Sequence, residues 1–85
     1  MKHAGPLALD ALGPVLAQLR AIDGLKEKSR GTFYRKSKAF LHFHEDPAGL
    51  FADLKKGDYF VRLPVNNRAE IAALIREAKR ALANP

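Results

Sequence analysis

Apolar positions along the chain change their spacing twice, and the changes mark out its elements. Val15, Leu16, Leu19 and Ile22 recur at helical spacing. Gly13-Pro14 suits the start of that helix and Gly24 its end. Leu7, Leu9 and Leu12 predict a short turn before it, and residues 1–12 otherwise read as an irregular N-terminal segment. From residue 32 the period shortens to two, which predicts strands over 32–36, 39–45, 50–54 and 59–65. The helical period then returns. Ile71, Leu74, Ile75, Ala78 and Leu82 form one face of a final helix, with Arg76, Glu77, Lys79 and Arg80 on the other. Asn67 and Glu70 are spaced as a capping box at its start.

The segments between strands are short and rich in turn-forming residues: Lys36-Ser37-Lys38, Asp46-Pro47-Ala48-Gly49 and Lys55-Lys56-Gly57-Asp58. Short turns make neighbouring strands antiparallel. The expected fold class is α+β, a single domain over residues 1–85 with element order α-β-β-β-β-α. Its sheet is a four-stranded antiparallel meander with two helices packed on one face. Turn length and the apolar pattern set the expected register: Phe43 against Ala52, Leu41 against Leu54, Tyr34 beside Leu41, and Leu54, Ala52 and Leu50 against Tyr59, Val61 and Leu63.

That register sorts the sheet into two faces. One is aliphatic and belongs under the helices. The other collects Phe33, Arg35, Phe40, His42, His44, Phe51, Asp53, Phe60 and Arg62. Four of the five phenylalanines fall there, so this face is not ordinary wet surface. His42 lies opposite Asp53, while His44, Phe51 and Arg62 line up across three strands at distances where side chains touch.

Composition narrows the alternatives. A chain of 85 residues, 47% hydrophobic and 28% charged, fits one small globular domain whose thin core is often supplemented by oligomerisation. With no cysteine there is no disulfide and no thiolate metal site. No apolar run approaches a membrane span and the first residues lack a signal-peptide core, so the expected location is cytoplasmic with no membrane partner. The net charge of +6 is concentrated in Lys26, Lys28, Arg30, Arg35, Lys36 and Lys38, opposed only by Glu27. This segment could contact nucleic acid or a phosphate ligand, with Phe33 and Tyr34 stacking on bases. A solvated loop beside a lysine-protected edge strand accounts for it more simply.

The Phe-rich face is expected to act as a homodimer interface, since aromatic residues ringed by Arg and His suit an interface core and rim. Phe51→Arg should then disrupt assembly more than folding. A small-ligand site on the same face ranks next, with Phe51 and Phe60 as walls and His42, His44, Asp53, Arg62 and Arg35 as polar contacts. Metal binding ranks third: His42 and His44 share a strand face and Asp53 or Asp46 could add oxygen, but His3 lies too far along the chain to be counted. No cofactor is assigned. A His42–Asp53 pair could form a general base oriented by a carboxylate, yet no nucleophile motif or glycine-rich phosphate loop accompanies it. No catalytic residue is assigned, and an enzyme is the less expected outcome.

The run from Phe40-Leu41-His42-Phe43-His44-Glu45-Asp46-Pro47 to Leu50-Phe51-Ala52-Asp53-Leu54 resembles small bacterial proteins of unassigned function. With Leu63-Pro64 before the last helix, it is loosely similar to bacterial domains labelled "luciferase domain". The resemblance covers residues 31–82 and implies a shared fold. It also singles out His42, His44 and Asp53, and implies no activity, cofactor or substrate.

Overall fold

The computed structural model describes residues 1–83. Its elements are β1 (Lys2–His3), α1 (Pro6–Ala11), α2 (Gly13–Arg20), β2 (Leu25–Ser29), β3 (Thr32–Arg35), β4 (Lys38–Asp46), β5 (Gly49–Lys56), β6 (Tyr59–Pro64) and α3 (Arg68–Ala83). The class is α+β, as the sequence predicts, with an all-antiparallel sheet of six strands rather than four. Strands β2 to β6 follow one another across it, and β1 pairs with β4. The two additional strands come from segments the periodicity left irregular. Leu25–Ser29 is a strand paired to β3, not a basic loop. The N-terminal segment supplies both β1 and α1.

Proline placement explains the broken N-terminal helix. Pro14 has no N–H to give Asp10, so the backbone cannot run as one helix through Leu12, and α2 starts afresh with Pro14 in its first turn. The final helix is capped as the sequence predicts at Asn67, whose Oδ1 accepts the Glu70 N–H at 2.9 Å. Glu70 reaches one residue further back than expected, accepting the Asn66 N–H at 2.8 Å.

The helices cover the aliphatic face. Leu12, Val15, Leu16 and Leu19 from the N-terminal helices meet Leu41, Phe43, Ala52 and Leu54 from the sheet and Leu74 and Ala78 from α3. The pairs Phe43–Ala52 and Leu41–Leu54 stand as expected. The last hairpin is tighter than expected: Lys56 pairs with Tyr59, so Gly57-Asp58 alone makes the turn, and Leu54 meets Val61 while Ala52 meets Leu63. A two-residue shift preserves which side each residue faces.

The first hairpin departs more. Its turn is Lys36-Ser37, because Arg35 pairs with Lys38. The pairing then slips between Phe33–Leu41 and Tyr34–Ala39, leaving Phe40 as one extra residue in β4. A bulge of this kind re-aims side chains. Phe33, not Tyr34, therefore sits opposite Leu41, and both Phe33 (0% exposed) and Phe40 (3% exposed) are core residues. The expectation that four phenylalanines share the histidine face is corrected: two of them are withdrawn into the core. No helix among the described residues is long and apolar enough to cross a membrane.

Candidate metal centre

Beyond the bulge, strand alternation holds. His42 and His44 stand on the side of β4 away from the helices. β5 places Asp53 across from His42 and Phe51 across from His44, and β6 places Arg62 across from Asp53. Arg62 donates two parallel hydrogen bonds to Asp53, Nε to Oδ1 at 2.8 Å and Nη2 to Oδ2 at 2.9 Å. The carboxylate does not turn to its register partner His42. Its Oδ2 lies 3.0 Å from Nε2 of the diagonal neighbour His44. His42 instead brings its Nδ1 to 2.9 Å from the same His44 Nε2.

The third imidazole is the one that sequence spacing sets aside. β1 pairs antiparallel to β4 with His3 opposite His44. The His3 ring centroid lies 4.7 Å from that of His44 and 5.8 Å from that of His42. β4 offers this edge to β3 as far as His42 and to β1 at His44 and Glu45. Glu45 secures the segment. Its Oε2 accepts the Gly5 N–H at 2.6 Å, and Lys2 approaches its other oxygen at 3.7 Å. The Ala4 N–H donates to the Phe43 carbonyl. A two-residue strand has too little sequence to show periodicity, so nothing in the pattern of residues 1–5 announces that His3 joins the site.

One ring nitrogen from each of His3, His42 and His44 lies within 4.8 Å of the other two. Exposure grades across the trio: His3 is exposed, His42 intermediate and His44 buried. For neutral rings the contacts assign the protons. A bare Nε2 lone pair on His44 would face the Asp53 carboxylate at 3.0 Å, so the neutral ring carries its proton there. That N–H points between Asp53 and the His42 Nδ1, which must then be an acceptor. The remaining nitrogen of His44, Nδ1, is left with a lone pair, buried and without any hydrogen-bond partner. Burial lowers the pKa of His42, with the neighbouring His44 adding to the effect against the opposing pull of Asp53. The hydrogen bonds from Arg62 hold the Asp53 carboxyl below its ordinary range despite its burial. The site therefore presents the His44 Nδ1 lone pair, backed through the same ring by an ionised carboxylate, while the His42 Nδ1 lone pair is turned to the His44 N–H.

The remaining expected site residues divide. Phe60, 42% exposed, stacks at a tilt on His42 with centroids 5.1 Å apart. Phe51 is half-buried beside His44. Arg35 is elsewhere: it donates to the Ala81 and Leu82 carbonyls at the C-terminal end of α3. Three of the six residues of the basic segment are engaged locally. Besides Arg35, Arg30 pairs with Asp10, and Lys28 lies over the Tyr34 ring at 4.5 Å. Lys26, Lys36 and Lys38 remain exposed.

Comparison with protein-family models, with curated proteins and with solved structures finds no match to this chain. The site is read from its own geometry.

Proposed function

We propose that this protein is a small metal-binding module that holds a divalent transition metal through His3, His42 and His44. The observation that carries the proposal is the buried, unpartnered Nδ1 of His44, in a ring whose centroid lies 4.7 Å from that of His3 and 4.9 Å from that of His42. A buried polar atom without a partner costs free energy, and a cation supplies the missing interaction. Asp53 gives the second support. Metal-bound histidines characteristically donate their other ring N–H to a carboxylate, and the His44–Asp53 contact has that form. Arg62 then fixes Asp53 and balances its charge. Imidazole donors suit zinc, copper, nickel or cobalt rather than magnesium or calcium.

Three nitrogens around such an ion at about 2.0–2.1 Å stand roughly 3.4 Å apart. From a spread of up to 4.8 Å, the rings have a little over 1 Å to close, and His42 has also to turn its Nδ1 away from the His44 N–H. His3 is exposed and sits on a short strand, so it can supply that movement. The two alternatives from the sequence are less well supported. A self-association face now rests on Phe51 and Phe60, because Phe33 and Phe40 belong to the core. A continuous nucleic-acid strip is broken by the local partners of Lys28, Arg30 and Arg35.

The test is calorimetric titration of the metal-stripped protein with Zn²⁺. One ion per chain is expected. His3→Ala, an exposed change that spares the core, should cost at least the ~10–100-fold typical of altering an outer-shell partner. Unchanged affinity in this variant contradicts the assignment.

A further inference from the structure

The β3–β4 and β5–β6 hairpins turn at the same end of the sheet, because Lys38 begins β4 where Lys56 ends β5. Their turns, Lys36-Ser37 and Gly57-Asp58, form two sides of a cleft of about 370 Å³, with Ala81 of α3 on a third and Phe40 in its floor. That volume lies in the range of small-molecule sites. We infer that this cleft binds a phosphomonoester carried on a small hydroxyl-bearing molecule, at a site separate from the histidine trio.

Charge is the first ground. Arg35, Lys36, Lys38 and Lys55 line the cleft, and Asp58 is the one acidic residue among its lining. Arg35 spends hydrogen bonds on the helix carbonyls. Lys36, Lys38 and Lys55 have no acidic partner among the described residues, whereas the adjacent Lys56 pairs with Glu77. Ammonium groups gathered at one cleft repel each other unless an anion joins them, and lysine binds phosphate as a point charge.

The backbone supplies a second, independent ground. Lys36 is the only described non-glycine residue with positive φ, at 58°. The first position of a tight hairpin turn is where glycine or asparagine meets this demand at little cost. A lysine held there, at a residue lining the cleft, carries a backbone cost, and such outliers cluster at ligand clamps.

The same features define the ligand. A cleft of this size between two hairpin turns suits a single phosphate group on a small carrier. Asp58 and the Ser37 hydroxyl can hydrogen-bond hydroxyl groups of the carrier.

The experiment is NMR titration of the ¹⁵N-labelled full chain with inorganic phosphate, ribose 5-phosphate and ribose at about 0.15 M ionic strength, where the Debye length is about 8 Å. Both phosphates should shift the amides of residues 35–38 and 55–58 at saturable concentrations, the sugar phosphate binding more tightly and ribose not at all. Lys36→Gly should fold at least as well as the parent. It and Lys55→Gln should each weaken binding by about tenfold, the worth of one charge-assisted hydrogen bond. Lys26→Gln, an equal loss of charge outside the cleft, should change affinity by less than about twofold once salt screens distant charges. Equal weakening by all three substitutions, or shifts spread over every lysine, would overturn the inference in favour of diffuse charge attraction. So would an oligonucleotide that binds more tightly than the sugar phosphate and shifts the β2 amides.

Discussion

At His44, a buried ring nitrogen with no partner is joined through the same imidazole to an ionised carboxylate, and the pairing gives the residue its chemistry. Asp53 orients the ring, and Arg62 keeps Asp53 both placed and charged. Asp53→Asn removes the carboxylate that fixes the His44 tautomer, so zinc affinity should drop by about 10–100-fold while the backbone fold persists. Calorimetry together with circular dichroism checks both halves of that statement. The acid behaviour of the metal-stripped protein follows from the two shifted groups. His42 titrates below its ordinary 6.5 when folded, so the unfolded chain takes up protons first and stability falls as pH drops below that value. Asp53, held below 3.8, contributes stability that is present above that value and lost only in stronger acid. Urea midpoints measured from about pH 8 down to about pH 5 should therefore fall, and His42→Gln should flatten the slope. A slope unaltered by that substitution would mean that other groups govern the transition.

At the scale of elements, the bulge in β4 decides which aromatic residues are structural. Alternation alone assigns Phe33 and Phe40 to the histidine face, and one inserted residue sends both inward. Phe33→Ala should cost about 3–5 kcal/mol, as for other fully buried phenylalanines. Tyr34→Ala, at the half-buried neighbouring position, should cost far less. Denaturant unfolding of the pair tests the slip directly, and the reverse ranking would restore the unbulged register. Helices α2 and α3, strands β3 to β6 and the Asn67 cap were legible because each follows a clear period or uses a recognised capping pattern, whereas α1 lay in a segment read as irregular. β1 and β2 were not. One is two residues long, and the other, Leu25-Lys26-Glu27-Lys28-Ser29, carries a single large apolar residue as an edge strand. Edge strands defended by lysine look like loops in sequence for the same reason that they resist aggregation.

Over the whole molecule, the site is assembled from three stretches far apart in sequence: His3, the His42–His44 strand, and Asp53 with Arg62. That the last two share a face was readable from strand alternation, but the expected register set Arg62 in line with Phe51, and a two-residue shift brings it to Asp53 instead. His3 required a contact spanning some forty residues, between His3 and His44, which no local pattern encodes. Through this long closure an ion held by the trio would be coupled to the fold. Metal bound by His3, His42 and His44 would hold the N-terminal strand on the sheet, and an ion at a hundred times its Kd would add about 2.7 kcal/mol if the unfolded chain does not bind it. The melting temperature should accordingly rise with Zn²⁺ in the parent protein and much less in His3→Ala. The most direct measurement is anomalous diffraction at the zinc edge from crystals grown with Zn²⁺. The account predicts one peak per chain, within about 2.0–2.1 Å of a nitrogen from each of His3, His42 and His44. A peak elsewhere, or none at this trio, contradicts it.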